Sequence, residues 1–300
     1  MKRKFTAALA LTLALLLGIA TTVMPSAAAY IPSEYEAYTE PTVRDTRAAS
    51  YASVPVDDTV ERMRGAEARL INSTTYVPIR FFCEMLTDCK VSWSASDRIA
   101  TVSANGLRIT AAAGSRYICA NGRYLYSSAP NVVLDDNRLY VPVRVLARAF
   151  GVEVEWSASS RSVSIKGEVK PILSGEIFYD KDEVYWLSRI ISSESCGEPF
   201  VGQIAVGNVV LNRVRAKQYP NTIWGVIFDR KYGVQFSPVS IGTVYNEPYY
   251  TSVIAAKICL EGYTVSDGIL YFFDPYLSTS NWISDNRPYA FTIGGHYFYY

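Results

Sequence analysis

Histidine occurs once in the 300 residues, at His296. A metal centre built on imidazole ligands is thereby excluded, and with it the zinc amidases and zinc peptidases; carboxylate-only metal sites stay open. Cysteine is also scarce. Cys83, Cys89, Cys119, Cys196 and Cys259 are an odd set with no two-residue spacing, so neither a fully paired disulfide framework nor a zinc ribbon follows. One pair in the middle region is allowed. Neither sign of charge dominates, with 29 Lys and Arg against 28 Asp and Glu, so the electrostatic footprint of a nucleic-acid binder is missing. Beyond the N-terminal segment no apolar run reaches the roughly 18 residues of a membrane span. A partner must therefore be gripped by shape, stacking and hydrogen bonds.

What is present begins with a leader. Lys2-Arg3-Lys4, an apolar and small-residue run over 7–20, and Ala27-Ala28-Ala29 form the three parts of a secretory signal, placed at 1–29. The strongly apolar part is shorter than the roughly 20 residues that span a bilayer comfortably, which favours cleavage over anchoring. Three cations leave with it, and the remainder is nearly neutral. Residues 30–53 mix Ala, Ser, Thr, Pro, Glu and Tyr without a sustained apolar period and read as a linker.

An internal repeat organises residues 54–167. Tyr76-Val77-Pro78-Ile79-Arg80 returns as Tyr140-Val141-Pro142-Val143-Arg144, and Trp93-Ser94-Ala95-Ser96 returns as Trp156-Ser157-Ala158-Ser159. In each copy a strand end leads through proline into a helical stretch, 81–86 or 145–150. Alternation in Val152-Glu153-Val154-Glu155-Trp156 and Ser162-Val163-Ser164-Ile165 predicts a hairpin turning at 157–161. Each copy is thus expected to be a small α+β module. The pattern resembles the repeats named after the copper amine oxidase N-terminal domain, which implies a stalk-like spacer or wall-contact role. The region has no histidine to bind copper, and nothing catalytic is carried over. Residues 168–179 form a second linker.

The last part, 180–300, carries the candidate chemistry. Asp180 stands as an N-cap with Glu183 three residues on, and Val184, Leu187 and Ile191 fall on one helical stripe that Glu194 continues. A carboxyl on a buried stripe has its charged form disfavoured, and a carboxylic acid held neutral is suited to giving a proton to a leaving sugar oxygen. Periodicity equally allows a helix-end glutamate satisfied by backbone groups. The helix should stop at Gly197, and a second should run over 200–215. Gly202, Ala205 and Val209 form a narrow side there. Asn221 is expected to cap a third helix, and Pro248 to open a fourth ending at Gly262. A strand over 270–273 and a hairpin around Gly294-Gly295 complete the pattern.

Ser193-Glu194-Ser195-Cys196-Gly197-Glu198-Pro199, Gly202-Gln203-Ile204-Ala205-Val206, Val210-Leu211-Asn212-Arg213-Val214, Gln235-Phe236-Ser237-Pro238, Tyr271-Phe272 and Gly294-Gly295-His296 occur in one order across this region. Together they resemble the cell-wall hydrolase family of the spore cortex-lytic enzyme SleB. The resemblance implies a mainly helical, lysozyme-like catalytic domain with a small antiparallel sheet, making the whole chain α+β. It also implies lytic transglycosylation of peptidoglycan glycan strands between N-acetylmuramic acid and N-acetylglucosamine. Glu194 would be the acid and then the base, with no metal or organic cofactor, in a protein exported to the cell wall or spore envelope of a Gram-positive-type bacterium. The flanks depart from the family's Ala-Glu-Ala-x-Gly-Glu: serines replace both alanines, and Cys196 precedes the glycine.

Gln203, Asn212, Gln235, Tyr271 and Phe272 are candidates for substrate contact, since amides pair with acetamido and hydroxyl groups and aromatic faces suit sugar faces. Each has a structural alternative. On a strand Tyr271 and Phe272 point to opposite sides, so at most one faces a groove. A hydrolytic muramidase would need a second carboxylate, for which Glu198, Asp229, Asp274 and Asp285 are available. A cysteine peptidase using Cys196 and His296 is disfavoured because a helix C-terminus raises a thiol pKa. A non-catalytic wall-binding protein is the third alternative.

Overall fold

The computed structural model describes residues 51–53, 67–134, 137–157, 162–231, 233–278 and 280–300. The leader at 1–29, the linker up to residue 50 and the centre of the 157–161 turn lie outside the described residues. The architecture is α+β.

The chain enters through β1 (Tyr51–Ser53), so the end of the expected linker is a strand, paired antiparallel with β2 (Glu67–Ile71). Asn72 and Ser73, both at positive φ, make the two-residue turn into β3 (Thr74–Pro78), the conformation that matches the twist of a tight hairpin. Helix α1 (Ile79–Leu86) follows directly, burying Ile79, Phe82, Cys83 and Met85. A meander comes next: β4 (Cys89–Ser94), β5 (Ile99–Ala104), β6 (Leu107–Ala112), β7 (Tyr117–Ala120) and β8 (Arg123–Tyr126). The second copy then supplies β9 (Val132–Val133), β10 (Leu139–Pro142), α2 (Val143–Phe150) and the hairpin β11 (Glu153–Ser157) with β12 (Ser162–Lys166). Gly151, at φ 67°, ends α2 in the left-handed conformation that glycine adopts without strain.

The two copies are not separate beads. Their Tyr-Val-Pro strands pair with each other, Val77 opposite Val141 and Tyr76 opposite Pro142, within one five-stranded sheet. Phe82 of α1 packs edge-on against Phe150 of α2 at 5.7 Å, inside a single core drawn from both copies. The pairing permitted among the middle cysteines does not form, and all five thiols are free.

After a short helix α3 (Gly175–Phe178), Asp180 caps α4 (Lys181–Ser195) by accepting from the amides of Asp182 and Glu183. Helix α5 (Phe200–Arg215) runs through the centre of the second core, buried without a break from Gly202 to Arg213. Its tightest approach falls at Gly207 rather than on the Gly202 side. A Cβ there would lie 2.7 Å from Cys259 Sγ and 2.8 Å from Ile191 Cδ1. Helix α6 (Ile223–Ile227) is capped by Thr222, one residue beyond the expected Asn221, because the Thr222 hydroxyl reaches the Gly225 amide. Two elements unforeseen in the sequence follow, α7 (Ser237–Ile241) and a 3₁₀ turn over Thr243–Tyr245. Helix α8 (Tyr250–Leu260) packs on both α4 and α5. The chain closes with β13 (Tyr271–Phe273), α9 (Trp282–Asn286), β14 (Tyr289–Ile293) and β15 (His296–Tyr299), the strands ordered β13-β15-β14.

The repeat region packs directly on this second core. Arg123 of β8 and Arg148 of α2 converge on the buried Glu261 at the end of α8, and the Tyr179 hydroxyl donates to the same carboxylate. Around that charge cluster Tyr126 meets Tyr263 at 4.3 Å, Tyr117 meets Phe200 at 6.0 Å, and the Tyr124 and Tyr250 hydroxyls share a hydrogen bond. Among the described residues no helix is long and apolar enough to cross a membrane.

Candidate active site

Glu194 occupies the last turn of α4, and the residues on both sides of it are tied down. Ser193 Oγ donates to the Thr243 carbonyl (3.0 Å), Ser195 Oγ donates back to the Ile191 carbonyl (2.7 Å), and Ser192 Oγ accepts from the Tyr249 amide (3.1 Å). The serines that depart from the alanine pattern thus spend their hydroxyls on backbone groups. Glu194 itself has no hydrogen bond or ion pair among the described residues. Burial pushes its carboxyl up to about 7, and the charge of Arg213 offsets part of that rise. Such a group is populated as both acid and base around neutrality.

Arg213, at the end of α5, is the neighbouring cation. Its Nε donates to the Leu270 carbonyl at 2.8 Å, while Nη1 is buried with no partner. The guanidinium lies 5.1 Å from the ring centres of Tyr219 and Phe236 and 5.6 Å from that of Tyr271. Burial pulls its pKa down, against the charges of Tyr219, Tyr271, Asp229 and Glu194. Tyr219 is hydrogen-bonded to Tyr271 and pushed up to about 12, chiefly by burial. Tyr271 extends this wall outward, with Trp282 at 6.3 Å and the Arg287 guanidinium 4.7 Å from its ring centre. Glu194, Arg213, Tyr219, Tyr271, Trp282 and Arg287 therefore define one polar and aromatic site.

The other candidates fall elsewhere. Gln203 is buried, its amide donating to the Glu198 carbonyl and accepting from Ser252 Oγ. Asn212 is likewise buried, with Nδ2 donating to the Ser266 and Ile269 carbonyls and Oδ1 accepting from Arg215. Both amides are engaged in holding chain segments together. Gln235 is half-buried and donates to the Gly233 carbonyl. Phe272 packs against Phe236, Phe298 and His296, the interior side of β13, whereas Tyr271 takes the side facing Arg213.

Glu198 accepts from the Gly295 amide at 2.9 Å and so holds the β14–β15 turn. Asp274 caps the Tyr276 amide, Asp229 caps the Lys231 amide while facing Arg213, and Asp285 is exposed on α9. Cys196 is exposed at the C-cap of α4, and His296 is buried against Phe272 with Nδ1 unpartnered and its pKa lowered by that burial. Among the described residues no group of His, Cys, Asp and Glu is placed to hold a metal ion.

Arg213, Tyr219, Trp282 and Arg287 were not singled out as functional from the sequence. The available signal for Arg213 was a cation closing a stretch, Gly202 to Asn212, that carries no charge, since an arginine is rarely buried without a partner.

Residues 197–299 match the Cell Wall Hydrolase family, and residues 56–165 match the Copper amine oxidase N-terminal domain. The C-terminal region is thus a cell wall hydrolase domain, its matched span opening just past Glu194. Its relatives are spore cortex-lytic enzymes: that of Bacillus cereus (strain ATCC 14579) is 37% identical over 120 residues, 40% of this chain and 45% of that protein. The one from Bacillus subtilis (strain 168) is 34% identical over 120 residues, 40% of this chain and 38% of that protein. Among solved structures, the catalytic domain of the germination-specific lytic transglycosylase SleB from Bacillus anthracis is 35% identical. The likeness covers 43% of this chain and 100% of that domain, with a TM-score of 0.38. The chain spans less than half the length of the curated relatives it matches.

Proposed function

We propose that the chain is an exported lytic transglycosylase acting on peptidoglycan glycan strands of the spore cortex or vegetative wall, with Glu194 as its acid and base. The observation that carries this reading is a half-buried carboxyl with no hydrogen bond or ion pair among the described residues, its pKa raised by burial to about 7, facing Arg213, whose guanidinium lies against the rings of Tyr219, Phe236 and Tyr271. Glu194 gives its proton to the oxygen between N-acetylmuramic acid and N-acetylglucosamine as that bond breaks and the anomeric carbon gains positive character. The resulting carboxylate then accepts the proton of the muramic 6-hydroxyl, whose oxygen closes the anhydro ring, and the acid is restored. The substrate supplies its own nucleophile, held in place by its own ring, so a single protein carboxyl suffices. Tyr271 and Trp282 offer faces to the sugars. The relatives named as spore cortex-lytic enzymes support the substrate class.

Glu194→Gln tests the reading. Peptidoglycan digested by the wild type should release soluble muropeptides ending in anhydromuramic acid by mass spectrometry, and the variant should release none. Reducing ends instead would move the assignment to a hydrolytic muramidase. Equal release by the variant would remove Glu194 from the chemistry.

A further inference from the structure

A second aromatic surface adjoins the candidate site and takes no part in the chemistry above. On α4, Tyr185 and Trp186 meet edge-to-face at 4.9 Å; Trp186 meets Phe228, at the end of α6, at 5.2 Å, and Tyr245, at the end of the 3₁₀ turn, at 6.2 Å. Trp224 continues the set against Phe228 at 5.1 Å. Trp186 and Phe228 are half-buried against the core, and the other three rings stand out from it. Trp224 is 55% exposed, Tyr245 58% and Tyr185 43%. Single exposed aromatics need no explanation, but five in mutual contact form the kind of contiguous patch that marks a binding surface.

Three connections make this surface continuous with Glu194. Trp186 precedes Glu194 by two helical turns on α4, roughly 12 Å along the axis and turned by about 80°. The 3₁₀ turn that ends in Tyr245 begins at Thr243, whose carbonyl accepts from Ser193, the residue before Glu194. Phe228 directly precedes Asp229, which faces Arg213.

Charge narrows the occupant. The cation stacked on the patch, Arg189, lies 3.7 Å from the Tyr185 ring centre and is ion-paired with Glu247 at 2.8 Å, so it is neutralised in place. An anionic lipid surface or an acidic polymer would find little to pair with. A chain of sugar rings, which presents flat C–H faces flanked by hydroxyls, suits rigid Trp and Tyr rings whose polar edges stay wet.

We propose that Tyr185, Trp186, Trp224, Phe228 and Tyr245 are a sugar-stacking platform that holds the glycan strand at a distance from the scissile bond. This rests on the reading of the Glu194 site as glycan-cleaving, and it assigns the platform the length preference of that site. Strands long enough to reach both places bind through both, whereas a short fragment at Glu194 leaves the platform empty.

The test uses the full chain carrying Glu194→Gln, so that strands are bound without being cut, and adds Trp224→Ala or Tyr245→Ala. Both positions are exposed, and unchanged thermal unfolding confirms an intact fold for each. Affinity for purified, peptide-free glycan strands should fall about fivefold to tenfold per substitution, with binding of a single disaccharide unchanged. Strand affinity equal to that of the parent would overturn the platform. The same result with loss of a protein captured by the parent would also overturn it, and would move the surface to protein recognition. The two proposals fail separately: wild-type chain that releases no fragments sinks the cleavage reading, while strand affinity lost on Trp224→Ala still supports the platform.

Discussion

Arg123 and Glu261 face each other across the junction of the repeat region and the C-terminal domain, joined by two parallel hydrogen bonds of 2.7 Å, Nε to Oε1 and Nη2 to Oε2. The Glu261 side chain is 1% exposed and also accepts from Arg148 at 2.6 Å and Tyr179 at 2.7 Å. Desolvating these charges is costly, and the geometry compensates only while every partner is present. Glu261→Gln is expected to lower unfolding stability by about 3 to 5 kcal/mol, measured from denaturant midpoints. Glu247→Gln, which removes the exposed partner of Arg189, should change it by less than about 1 kcal/mol. Similar losses for the two would refute the buried network.

Glu194 should leave a signature in stability as well as in activity. Its folded pKa, about 7, lies above the ordinary value of 4.5, so the native state holds the proton more tightly than the unfolded chain. That contribution is complete below pH 4.5 and is lost as pH rises through about 7. Glu194→Gln has no such proton to lose. Melting temperatures of variant and wild type should therefore diverge in favour of the variant between pH 5 and pH 8; a constant difference across that range would mean that Glu194 is not held neutral.

Arg213 offsets the rise in the Glu194 pKa. Replacing it by methionine removes that charge, so Glu194 should keep its proton to higher pH and the alkaline fall in fragment release should move upward. A limb that stays in place while the melting temperature drops would reduce Arg213 to a purely structural part.

Gly207 sets the spacing of α4, α5 and α8. Gly207→Ala puts a methyl group 2.7 Å from Cys259 Sγ and 2.8 Å from Ile191 Cδ1 and should cost about 1 to 3 kcal/mol through overpacking. Adding Cys259→Ala should recover part of the loss; a neutral Gly207→Ala would mean that the helices separate without penalty.

The boundaries of α4 and α5 were legible because they rest on local chemistry: the Asp180 side chain caps its own helix, and Pro199 opens the next. The same period set Glu194 on the side of Leu187 and Ile191, where its side chain is half-buried rather than fully buried. Helices α7 and α9, of five residues each, carry too few turns for a period to show. Tyr219 joins the site through its ring beside the Arg213 guanidinium and a hydrogen bond to Tyr271, which lies far along the chain. Gln203 and Asn212 drew notice as amides in a candidate region, yet their partners lie far along the chain: the Ser252 hydroxyl of α8 donates to Gln203, and Asn212 donates to the Ile269 carbonyl. The shared sheet was hidden for a related reason: alternation identifies a strand and its faces, not its neighbour.

Pairing Val77 with Val141 places the two halves of an internal duplication at the centre of one sheet, each completing the other's hydrogen-bond ladder. Deleting either half would strip β3 or β10 of that partner and leave a row of bare amides and carbonyls ready to recruit another chain. The duplication thus behaves as an indivisible unit, kept or lost as a whole, and not as a string of beads whose number can vary.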